Sequence, residues 1–108
     1  MSVNNSGKVL LYLYRDYLKR SENNHDEDSA RHFNEEYKVL KELNLNLNPI
    51  QFHVALKNLS EEGFLHTPKD TSDGFPEFSL TDHAIDSLNQ KFNGGFDDID
   101  TIVNSLNE

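Results

Sequence analysis

The sequence predicts an α+β domain: three N-terminal helices, a two-stranded hairpin, a fourth helix and a short C-terminal helix. Three observations carry this prediction. Leu47/Phe52 and Leu80/Ile85 have the spacing of hydrophobic staples, each bracketing a capped helix start. Gly63 lies between them as a helix stop. Two short extended runs, 64–67 and 77–80, then fall between that stop and the second start. At 108 residues the chain has room for one domain and one modest core. Residues 1–93 read as that domain, with an acidic mobile insertion over 22–32, and 94–108 as an acidic amphipathic tail.

The first helix is expected from Gly7 to Ser21, with Ser6 as its cap. Leu10, Leu13, Tyr14, Tyr17 and Leu18 follow helical spacing, yet Val9 to Tyr14 is apolar almost all the way round. A helix on the surface of a small domain needs only one apolar stripe. The excess face predicts a cover, either a partner subunit or the chain's own tail. Residues 21–31 contain no apolar side chain except Ala30 and read as a charged, solvated connection. His25, Asp26, Asp28 and His32 do not have the spacing of a metal site.

The second helix is expected over Asn34–Asn44, or from a turn earlier at Ser29. Glu35 and Glu36 sit in its first turn, and Phe33, Tyr37, Leu40 and Leu43 or Asn44 form its buried stripe, with Val39 beside it. The third helix has the strongest start signal. Asn48 is the cap, Pro49 takes the first helical position, and Gln51 is placed to complete a capping box. Phe52, Ala55 or Leu56, and Leu59 face inward; Gln51, His53, Val54, Lys57, Asn58 and Glu61 face outward. Two prolines and Asp73-Gly74 mark a long turn between the extended runs. Thr81 caps a fourth helix carrying Ile85 and Leu88 to about Phe92. In the tail Ile99, Ile102, Val103 and Leu106 share one face. Such a short helix is stable only when packed on something.

Nineteen acids against ten bases leave a formal charge of −9. Only residues 1–21 are net basic, at +3; residues 49–80 carry −3. No run of about 18 apolar residues occurs, so no membrane span is expected. The absence of a basic n-region and cleavage site predicts no signal peptide, and a cytoplasmic location. With no cysteine, disulfides and thiolate chemistry are excluded.

The order of elements, with Ala55-Leu56-x-x-Leu59-x-x-x-Gly63-Phe64-Leu65 followed by Phe78-Ser79-Leu80-Thr81, Ile85 and Leu88, resembles a winged helix-turn-helix. The run from Gln51 to Leu65 is similar to the small YjcQ-type proteins of Gram-positive bacteria and their prophages, a winged-helix family without an established activity. The resemblance spans about residues 8–92; the 22–32 insertion and the tail depart from it. It implies DNA binding, with the third helix in the major groove and the wing on the backbone. That points to Gln51, His53, Lys57 and Asn58, and to Lys69 on the wing.

Charge opposes this reading, because non-specific DNA affinity comes from Lys and Arg neutralising phosphates. Two functions therefore stand side by side: a DNA-binding, regulator-like protein, and an acidic protein-interaction module without DNA binding. For the second, Val9, Tyr12, Leu13, Ile99, Val103 and Leu106 are the expected contact face, including that of a homodimer. No enzyme is expected. No histidine forms a convincing helical pair with a carboxylate, no phosphate-binding glycine loop occurs, and neither cofactor nor metal is implied.

Overall fold

A computed structural model describes residues 5–23, 26–67, 74–92 and 95–106. Over these it is α+β. Six helices run α1 (Asn5–Glu22), α2 (Glu27–Arg31), α3 (Glu36–Leu43), α4 (Pro49–Glu61), α5 (Asp82–Lys91) and α6 (Gly95–Leu106). Three short strands, β1 (His32–Phe33), β2 (Leu65–His66) and β3 (Phe78–Leu80), form one antiparallel sheet in the order β1-β3-β2. No helix among the described residues is long and apolar enough to cross a membrane.

α4 starts and stops as its residues dictate. The Asn48 side chain accepts the Gln51 amide at 2.8 Å, and Gln51 returns the interaction by accepting the Asn48 amide at 3.0 Å. At the other end Gly63 takes φ +85°, which releases the Phe64 amide to donate to the Leu59 carbonyl at 2.9 Å. This left-handed closure turns the chain straight into β2. Thr81 then links strand to helix. Its amide donates to the Phe64 carbonyl, its hydroxyl to the Gly63 carbonyl, and the same hydroxyl caps the Ala84 amide.

The sheet has one more strand than expected. His32 pairs with Ser79 and Phe33 with Phe78, while on the other side of β3 Leu65 pairs with Leu80. The 22–32 insertion is thus built into the fold in its second half. Asp26 caps α2 by accepting the Ser29 amide, Ala30 is buried, and Phe33 stacks on Phe78 with centroids 5.4 Å apart. Arg31 pairs with Asp82 at 2.7 Å and anchors α2 to α5. The segment supplies few apolar atoms of its own, so backbone pairing to β3 orders it.

α1 is the central element, packed against α2, α4 and α6. Val9, Tyr12, Leu13 and Tyr14 are all essentially buried. The Tyr14 hydroxyl donates to Asn89 on α5. α6 lies on α1 with Ile99 and Val103 buried, and Arg15 reaches Asp100 at 3.1 Å. Of the two covers expected for Val9, Tyr12 and Leu13, the structure has the chain's own tail, with Ile99 and Val103 of α6 packed on α1. The reason is proximity. An apolar helix and an apolar tail on one chain meet at high effective concentration, with no association step to drive. Lys69 and the Leu106 side chain lie outside the described residues.

Candidate functional site

The local register of α3 and α4 decides which side chains are left outside. On α4 the buried residues are Phe52, Ala55, Leu56 and Leu59, so Ile50 and Val54, four apart, share the opposite face. On α3 the buried stripe is Glu36, Val39, Leu40 and Leu43. The helix begins at Glu36 with Phe33 in a strand, so the stripe centres on Glu36, Val39, Leu40 and Leu43 and leaves Tyr37, where burial was expected, at its edge in solvent. The outcome is an apolar patch: Ile50 is 76% exposed, Tyr37 54% and Val54 50%. These are the three exposed large hydrophobic side chains among the described residues.

Ile50 forms the divide between two grooves. One, about 370 Å³, lies between α3 and the start of α4 and is lined by Glu35, Glu36, Tyr37, Ile50, His53 and Gly74. The other, about 300 Å³, lies between the first turn of α1 and α4, where Ser6, Gln51, Val54 and Asn58 meet.

A polar cluster forms the floor of the first groove. Glu36 is buried, and its carboxylate accepts the Phe75 amide at 2.6 Å and the His53 Nδ1–H at 3.0 Å. The Glu36 amide in turn donates to the Phe75 carbonyl at 3.0 Å. His53 also meets the edge of the Phe75 ring, centroids 5.8 Å apart. Gly74 holds φ +112°, and a Cβ there would stand 2.9 Å from Glu36 Oε1. A side chain at 74 would thus press on the buried Glu36 carboxylate. Glu35 plays a different part: it caps α3 by accepting the Tyr37 and Lys38 amides at 3.1 and 3.3 Å. The cluster ties α3, α4 and the segment before β3 into one rigid corner.

Set against this geometry, the residues expected to contact DNA separate. His53 is half-buried and held by Glu36, which corrects its reading as an exposed helix residue. Gln51 is exposed, with its carbonyl oxygen in the capping box. Asn58 is exposed and donates to Ser6 Oγ at 3.3 Å. Lys57 is exposed but lines neither groove. The chain's three arginines make internal ion pairs, Arg15 with Asp100, Arg20 with Asp16 and Arg31 with Asp82. Arg20 additionally sits 4.6 Å over the Phe33 ring and donates to the His32 carbonyl.

Sequence reasoning missed Glu35, Glu36, Tyr37, Ile50, Val54, Gly74 and Phe75 as site residues. Ile50 carried a signal, since its four-residue spacing to Val54 places both opposite the Phe52–Leu59 stripe. The Glu36–His53 pair carried none, because its partners come from separate helices. Chemically the site offers fixed acceptor oxygens beside apolar surface, which is the chemistry of binding. Among the described residues no group of three or more His, Asp or Glu side chains could hold a metal ion. No protein-family model, curated protein or solved structure matches the chain.

Proposed function

We infer that this chain is a winged-helix-like protein-interaction module that uses the outer face of α4, together with Tyr37 of α3, as its contact surface. The exposure of Ile50, Val54 and Tyr37 carries this reading. A contiguous apolar patch rimmed by polar residues is the usual mark of a protein contact. A helix that enters a DNA groove instead needs cations on that face. Here Lys57 is the single cation among the described residues of α4, and the arginines are engaged elsewhere. The order of elements, with α4 followed by β2 and β3, supports the winged-helix part of the reading.

The test sets the two functions against each other on the intact chain. Fluorescence anisotropy with mixed-sequence duplex DNA at 50 mM salt is expected to give no binding. A photo-reactive amino acid at position 54, expressed in native host cells, is expected to give a discrete protein adduct that Ile50→Asp abolishes. The same probe at position 91 should give none. Salt-sensitive DNA binding that Lys57→Glu removes would overturn the reading in favour of a DNA-binding regulator.

A further inference from the structure

We propose that the partner presents a short segment pairing a bulky apolar side chain with a lysine or arginine, docked so that its cation lies at the Glu35 end of the α4 face. This rests on the interaction reading above and adds the partner's chemistry and its direction. The two grooves beside Ile50 are alike in apolar content but unlike in charge. Among the described residues the α3 groove is lined by two carboxylates, Glu35 and Glu36, and by neither lysine nor arginine. The α1 groove is lined by uncharged polar groups, among them Ser6, Gln51 and Asn58.

Both carboxylates are held before any partner arrives. Glu35 is fixed on the α3 amides, and Glu36 on Phe75 and His53. A carboxylate has about four acceptor sites, so each retains capacity for a further donor. Acceptors fixed in advance bind a cation at less ordering cost than mobile ones. Apolar surface supplies affinity without direction, while the carboxylates favour one orientation of the segment over its reverse. The chain's charge of −9 points the same way: it favours a cationic partner and disfavours a second copy of itself on this face.

The probe is a random 12-residue peptide library displayed on phage and selected against the full chain at low salt. Selected sequences are expected to combine Lys or Arg with Leu, Ile, Phe or Trp at a constant spacing. Titration of the synthetic peptides should show at least tenfold weaker binding to Ile50→Asp. Glu35→Gln should weaken binding three- to tenfold. The effect should disappear when the peptide's own cation is replaced by glutamine, which identifies the paired groups. Glu35→Gln keeps an acceptor at the α3 cap, and its circular dichroism should match that of the parent chain. Peptides that need Ile50 but ignore Glu35, or that carry no cation, overturn this proposal and leave the interaction surface standing. Failure to enrich any sequence, or binding indifferent to Ile50→Asp, overturns both.

Discussion

The molecule has two apolar helix faces that look similar in sequence and have opposite fates. On α1, Val9, Tyr12 and Leu13 are buried, with α6 of the same chain packed on the helix. On α4, Ile50 and Val54 are left in solvent with Tyr37 beside them. The covered face is secured by an ion pair, Arg15 to Asp100, and by Ile99 and Val103 inserted from the tail. The open face has a rigid polar floor, and no described element packs over it. Burial on the first face serves stability. Exposure on the second adds nothing to stability, so a role in contact accounts for it better.

The largest expected effect comes from removing the cover. Deleting 95–108 takes away two fully buried aliphatic side chains, each worth about 2–5 kcal/mol, from a domain whose total stability is about 5–15 kcal/mol. The truncated chain is expected to lose cooperative thermal unfolding and to bind a hydrophobic dye. A cooperative melt within a few degrees of the parent would mean that α6 does not cover α1.

A gentler version compares single residues. Ile99→Ala should cost about 2–4 kcal/mol in urea denaturation, whereas Ile50→Ala should stay within about 0.5 kcal/mol. Equal costs would erase the distinction between the faces. Gly74→Ala comes next, at about 1–3 kcal/mol, since it combines a left-handed backbone with a Cβ against the Glu36 carboxylate. NMR should show shifted His53 ring resonances in that variant, and unchanged resonances would separate Gly74 from the cluster.

The smallest effect is a dependence on alkaline pH. Burial raises the Tyr14 hydroxyl pKa above its usual value of about 10. Ionisation is then harder in the folded than in the unfolded chain. This contribution to stability is intact below about pH 10 and is lost as pH rises from there towards the folded value. Tyr12 is raised as well, by burial, with Arg15 opposing. Alkaline unfolding followed at the phenolate absorbance should therefore begin earlier in the parent than in Tyr14→Phe. The opposite order would place Tyr14 outside the core.

Capping is where the sequence was most legible. Asn48, Pro49 and Gln51 build their box from residues three apart, and Gly63 closes α4 by a backbone conformation open to glycine in its own right. Thr81 caps α5 for the same local reason. None of these interactions needs a distant partner, so spacing alone exposes them. The tail's amphipathic face was legible too, and with it the need for something to pack on.

What occupies each face was decided in three dimensions. Nothing local in His32-Phe33 marks a strand; it becomes one because β3 has a free edge beside it. Tyr37 was read as buried because Phe33 was placed in the same helical stripe; with Phe33 in β1 the stripe is Glu36, Val39, Leu40 and Leu43, and Tyr37 stands about 100° from its centre. Glu36, His53 and Phe75 carry no common pattern, since they lie 17 and 22 residues apart along the chain and meet only when α3, α4 and the segment before β3 fold together. The sequence by itself determined where α4 starts and stops and where α5 starts, because those rules act over a few residues. Tertiary structure alone decided that α6 closes α1 while the face of Ile50 and Val54 stays open, because cover requires two distant apolar surfaces to meet.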